Sequence, residues 1–171
     1  MSTNKQIQTY NQLENKSIQL IIERLPAVSF FCTSTSIPGV STTAARQPSP
    51  FVDIKHTGDK LVFQPLIVNF IVDENLQNWQ EVFDWMVSFG HPDNFDQYKD
   101  NTVTQNNLYR SKLSGGKLLV PNNKYNTSHE YDFEDLVPID LSDIIIDVQT
   151  QSTDPIIATV TFEYTKYTKV K

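Results

Sequence analysis

The sequence predicts a mainly β domain of the α+β type with a single helix packed on it, and two observations predict it. Residues 61–90 (LVFQPLIVNFIVDENLQNWQEVFDWMVSFG) contain an apolar strand that ends at Asp73-Glu74 and runs straight into an amphipathic helix carrying Trp79 and Trp85. Elsewhere, β-branched and aromatic residues come in short runs separated by polar turns, the pattern of strands. At 171 residues the chain is most simply one domain, 1–171, long enough to bury about two-thirds of its unfolded surface.

In chain order, residues 1–16 are polar and read as a flexible N-terminal arm, with no apolar core of a signal peptide. Residues 17–25 (SIQLIIERL) read as a strand stopped by Pro26, although Ile18, Ile21, Ile22 and Leu25 also follow helical spacing. Residues 28–36 (VSFFCTSTS) read as a strand, and Pro38-Gly39 as a turn. Residues 41–50 (STTAARQPSP) are small, polar and aperiodic, and predict either a loop disordered in the monomer or, the favoured reading, an extended arm over 40–50 that becomes ordered on a partner. Its candidate contact residues are Thr42, Thr43, Ala44, Ala45, Arg46, Gln47, Pro48 and Ser49. Residues 51–55 resume a strand, with His56-Thr57-Gly58-Asp59 as a hairpin turn into residues 61–72. Leu66, Val68, Phe70 and Val72 face one way and Ile67 and Ile71 the other, which predicts cover on both faces.

The helix is expected over residues 75–89, with a polar stripe at Gln77, Glu81, Asp84 and Ser88. Its apolar surface is wider than one sheet requires, so Trp79, Phe83, Trp85 and Met86 are candidates for helix packing or subunit contact. Asp73 and Glu74 suit its positive N-terminal end, and Gly90 and Pro92 its termination. Residues 91–107 read as a polar loop, residues 108–126 as a hairpin around Gly115-Gly116, and residues 135–142 as a connecting segment. Residues 144–150 and 157–169 read as the last strands; in the latter Ala158, Val160, Phe162 and Tyr164 point inward.

Net charge is −6 with an isoelectric point near 4.9, which lacks the basic footprint of a duplex-binding protein. Residues 73–100 hold seven acidic side chains and one lysine, and residues 130–147 hold seven acidic and none basic. Basic residues gather at 110–124 and at the C-terminus, so either acidic and basic patches meet between copies or these are ordinary solvated loops. No apolar run approaches the roughly 20 residues of a membrane span. The single cysteine, Cys32, reads as a buried strand thiol. His56, His91 and His129 offer no metal spacing. Asp93, Asp96 and Asp100 lack the glycine and alternation of a calcium loop, and Asp132, Glu134 and Asp135 read as a solvated turn. Ser114-Gly115-Gly116 lacks phosphate-loop spacing. No catalytic, cofactor or metal residues are assigned, and the chain is not expected to be an enzyme.

Phe30–Cys32, Ile37-Pro38-Gly39, residues 69–75, the Asp84-Trp85 pair and residues 158–164 together resemble the tail tube proteins of contractile-tailed, T4-like bacteriophages. The resemblance spans about residues 16–168, and residues 91–135 carry no matching pattern. It implies two packed antiparallel sheets, or a flattened β-barrel, flanked by one helix. It implies six copies joining edge to edge, their inner sheets forming one ring, and rings stacking into a hollow tube. The implied partners are further copies, the tail sheath protein, baseplate and tail terminator proteins, and viral DNA passing through the lumen without specific binding. The implied location is the virion, after assembly in the host cytoplasm, with no membrane association. Two other readings remain: a baseplate tube-initiator, tail-end ring or secretion-system tube, and a monomeric β-domain with ligand-binding or enzymatic function.

Overall fold

A computed structural model describes residue 13 and residues 18–90, 113–147 and 154–170. Among them are nine strands and two helices. The order is β1 (Gln19–Ile22), α1 (Pro26–Phe31), β2 (Cys32–Thr35), β3 (Val40–Gln47), β4 (Ile54–Phe63), β5 (Leu66–Ile71) and α2 (Gln77–Gly90). Then come β6 (Ser114–Pro121), β7 (Thr127–Leu141), β8 (Ile157–Glu163) and β9 (Lys166–Lys169). The expected loop at 91–107, His91 and the Asp93, Asp96 and Asp100 group lie outside the described residues, as do nearly all of the N-terminal arm and residues 148–150.

All pairing is antiparallel and falls into two sheets. Seven strands form one sheet in the order β1-β6-β7-β8-β5-β2, with β9 also on β7; β3 and β4 form a separate ribbon. The long strand β7 belongs to both halves of the large sheet. Its first part pairs with β6 and β9 (half A), and Val137–Leu141 pairs with β8 (half B). The switch is a bulge at Asp135, which takes a left-handed φ of 61°. There the register on β7 advances from Phe133 to Leu136 while β6 goes only from Gly116 to Ser114. A bulge bends its strand, and such bends let one strand pass between packed sheets. Across the same corner Thr165 donates its N–H to the Glu134 carbonyl (3.0 Å) and its hydroxyl to the Asp135 carboxylate (2.9 Å).

The two halves share one core. Leu20, Ile22, Leu118 and Phe133 come from half A, and Val68, Phe70, Val160 and Phe162 from half B, while Val28 and Trp85 come from the helices. The sheet is not closed into a barrel: β1 and β2, at its two ends, do not pair, and α1 bridges them.

Several local expectations are corrected. Residues 28–36 are not one strand, because Pro26 begins α1, where its missing N–H is harmless. Ser29 Oγ then accepts from Ile22 N–H (2.9 Å) and donates to the Leu25 carbonyl (3.0 Å). The β6–β7 turn lies not at Gly115-Gly116 but at residues 122–126. There Asn122 Oδ1 accepts from the N–H groups of Lys124 (2.9 Å) and Asn126 (3.1 Å), an asparagine-made turn. Gly116 is a strand residue beside Leu136, whose methyls stand 3.6–3.7 Å from where a Cβ would be. Residues 135–141 belong to β7, and residues 144–147 are not strand.

Helix α2 buries Asn78, Val82, Trp85 and Ser88, so Ser88 is not on a solvated stripe. Its hydroxyl is satisfied by the Trp85 carbonyl at 2.6 Å. Asn78, fully buried, ties the helix start to the end of β5. Its Nδ2 donates to the Ile71 carbonyl (2.8 Å), and its Oδ1 accepts from Asp73 N–H (3.2 Å) and Trp79 N–H (2.8 Å). That clasp holds Leu76 at φ 57°, a conformation a leucine otherwise avoids.

Candidate assembly surfaces

The most prominent feature outside the core is the β3–β4 ribbon. All eight residues of β3 are exposed, and so is most of β4. Their extensive packing among the described residues is on each other. The ten residues of β4 make a rod about 30 Å long. Thr42, Thr43, Ala44, Ala45, Arg46 and Gln47 lie in β3, with Pro48 and Ser49 in the tip. The expected loop over 40–50 is thus one strand of a hairpin whose tip is residues 48–53.

His56-Thr57-Gly58-Asp59 is consequently not the turn. Those residues sit within β4, where residues 58–60 bulge opposite Thr43. A Cβ at Gly58 would run into the Thr43 backbone, so the bulge requires glycine. The ribbon also carries apolar side chains at its surface. Phe51 is 96% and Val52 74% exposed at the tip, with Val40, Ile54, Leu61 and Val62 exposed along the strands. Arg46 and Lys55 sit directly opposite each other. Like charges so placed destabilise a ribbon, yet here they are presented together at its distal end.

A second surface is the pair of open edges on half B. Its strand order is β7-β8-β5-β2, and each neighbouring pair is antiparallel. The outer edges, β2 and the Val137–Leu141 part of β7, therefore run in opposite directions. The outward face of this half is polar in its middle. Asn69 Nδ2 donates to Ser34 Oγ (2.9 Å), and Thr159 Oγ1 donates to Asn69 Oδ1 (2.7 Å), a ladder across three strands. Ile67 and Ile157 on the same face are exposed, and among the described residues none supplies the expected second cover on β5. Asp140 and Glu163 are exposed there too, and these four strand segments contain no Lys, Arg or His.

The helix candidates divide. Trp85 is buried in the core beneath the Arg24 guanidinium, 5.2 Å from the ring centre, and Met86 packs against the core. Trp79 is half-buried, donating its indole N–H to the Ser142 carbonyl at 3.2 Å, and stacks on Phe83 with centroids 5.6 Å apart. Phe83 is exposed. Trp79 also packs against the core, so Phe83, stacked on it, is the one of these four candidates that is exposed.

Part of the charge patchiness resolves within the chain. Lys117 of β6 meets Glu130 (3.2 Å) and Asp132 (3.5 Å) of β7, and Lys166 of β9 meets Glu134 (3.2 Å). These basic and acidic stretches are strand neighbours, so they do not need another copy to meet. Such exposed pairs contribute little to stability. Burial pushes the Cys32 thiol upward in pKa, as befits an unreactive side chain.

Residues 1–170 match the family model for phage tail tube proteins. Among curated proteins, none matches by sequence. Among solved structures, the tube-terminating cap of the anti-feeding prophage aligns with a TM-score of 0.62 at 12% identity, over 98% of this chain and 96% of the other. The sheath/tube terminator of an extracellular contractile injection system (PVC), in its extended state, gives 0.60 at 13%, over 94% and 98%. The sheath–tube complex of the same system gives 0.57 at 13%, over 99% and 98%. At these identities the likeness is one of fold. The family match over the chain's length makes the conclusion plain: this chain belongs to the phage tail tube protein family, a structural and not an enzymatic family.

Proposed function

We propose that six copies of this chain close head to tail into a ring, and that rings stack into the hollow inner tube of a contractile tail. The carrying observation is the geometry of half B. With four strands per copy and oppositely directed outer edges, β2 of one copy can pair antiparallel with the Val137–Leu141 edge of the next, all round the ring. Closure removes the exposed edges that otherwise invite aggregation. A repeated head-to-tail contact of this kind makes a ring when its rotation closes. Six is the number implied by the family resemblance.

The outward face of half B would then line the lumen, where Asp140 and Glu163 and the hydroxyl and amide ladder offer DNA no cationic contact. The β3–β4 hairpin is the inter-ring arm, with Phe51 and Val52 as its apolar tip. The exposed Phe83, with Trp79 stacked against it, suits a contact with a neighbouring copy or an outer sheath. Baseplate and terminator proteins would cap the two ends, and the virion tail is the location this implies.

Electron microscopy of the purified protein across a concentration series, with mass determination, tests the reading. Hollow tubes with six-fold rings are expected. Single rings that never polymerise would identify a baseplate initiator or tail-end ring instead, and a monomer that no baseplate recruits would overturn both. Excising residues 42–49 alone would strand β4 without its partner. The cleaner variant replaces residues 41–62 by a short turn, since Gln64 N–H already bonds to the Gly39 carbonyl (2.9 Å). It should fold and form rings but not stack; tubes of ordinary length from it would remove the arm hypothesis.

A further inference from the structure

Building on the reading of the hairpin as an arm, we propose that the Tyr164 and Tyr167 hydroxyls are positioning groups that set the angle of the hairpin to the body. The hairpin leaves the body after Pro38 and returns at Gln64. Each of these stems is held by one phenol. Tyr164 Oη donates to the Gln64 carbonyl at 2.6 Å, and Tyr167 Oη donates to the Pro38 carbonyl at 3.0 Å.

Both tyrosines come from the stretch where β8 gives way to β9, at the corner made by the Asp135 bulge. Their rings form a socket for the hairpin root. Phe63, the last residue of β4, lies 6.1 Å from Tyr164 and 5.4 Å from Tyr167. Phe133 supports both from the body side, at 5.0 Å and 5.5 Å. Tyr131 closes the cluster 5.9 Å from Tyr167.

Ring burial alone would fill this socket equally well with phenylalanine, so packing does not account for the hydroxyls. What they add is direction, one bond on each stem. The need follows from leverage: in a rod about 30 Å long, a tilt of about 10° at the root moves the tip by about 5 Å, a whole strand spacing. A two-stranded ribbon has little stability of its own to resist that tilt. Two root bonds on opposite stems resist it, and they tie the arm to the same corner that joins the two halves of the large sheet.

The test is amide hydrogen exchange on the full unassembled chain, comparing wild type with Tyr164→Phe, Tyr167→Phe and the double variant. Each lost hydroxyl should speed exchange in the stem residues 39–42 and 61–64 by about five-fold, and the double variant by about 25-fold, with β5 and β8 unchanged. Unchanged exchange in the stems, or equal acceleration in β5 and β8, would overturn the proposal. This readout needs no tube, so it stands apart from the fate of the assembly reading. Where wild type forms tubes, the double variant should form rings that stack poorly, and tubes of wild-type length would overturn the positioning role.

Discussion

β4 and β5 follow each other with two residues between them, and they occupy opposite environments. Leu61 and Val62 of β4 are 59% and 44% exposed, whereas Leu66 and Val68 of β5 are fully buried. β5 (LIVNFI) is the more apolar strand, but Leu61 and Val62 are as apolar as Leu66 and Val68. The difference lies in partners: β5 is flanked by β2 and β8 and covered by the core, and β4 has β3 alone. The apolar pair in each strand wants cover, and among the described residues only that of β5 receives it, on its inner face. For β4 the missing cover fits another copy.

The largest effect that can break this contrast is in the core. Phe162→Ala should cost about 3–5 kcal/mol and lower the melting temperature by roughly 6–20 °C. Phe51→Ala at the hairpin tip should stay within about 0.5 kcal/mol of wild type, because it removes no packing in the isolated chain. Calorimetry of the two variants decides the matter; a comparable loss at both positions would mean that the tip is packed after all.

Next comes the junction between β5 and α2. Asn78→Ala removes three hydrogen bonds and leaves buried backbone groups without partners, which should cost about 3 kcal/mol in denaturant unfolding. A loss below about 1 kcal/mol would mean that water or a shift of the backbone replaces the clasp.

The smallest effect sharpens the hairpin side. Burial pushes the Tyr164 phenol from its ordinary value of 10.0 up to about 12, with Tyr167 and Glu163 adding to the shift. The raised folded value means the neutral phenol is the form that stabilises the fold. Its contribution is complete below pH 10 and is lost as pH rises through about 12. Thermal melts between those limits should show a steeper decline for wild type than for Tyr164→Phe. Parallel declines would place the ionisation elsewhere.

Much of the body was readable in advance. The alternation of Ala158, Val160, Phe162 and Tyr164 correctly marked the inward face of β8, and the run from Leu66 into a helix bearing Trp85 marked the core strand and its helix. Period-two and helical spacing report a face that the chain buries itself, and these segments have such a face. The hairpin read differently. β3 (VSTTAARQ) has no apolar face because both its faces meet solvent, so alternation had nothing to report and the strand resembled a loop. Gly58 marked a bulge and Gly116 a strand residue tight against Leu136, two uses of glycine that look like turns in one dimension.

By itself the sequence determined the class of fold, the position of the long helix α2 and the family, because these follow from local periodicity and short motifs; which of its two tryptophans enters the core was left to the tertiary structure. Tertiary structure alone decided that β7 serves both halves of the large sheet, that Asn78 clasps the helix to β5, and that Tyr164 and Tyr167 reach the hairpin stems. Those contacts join residues up to 129 positions apart in the chain. No local pattern encodes them, because each depends on where a bulge turns a strand and on which backbone carbonyl is left within reach of a polar side chain.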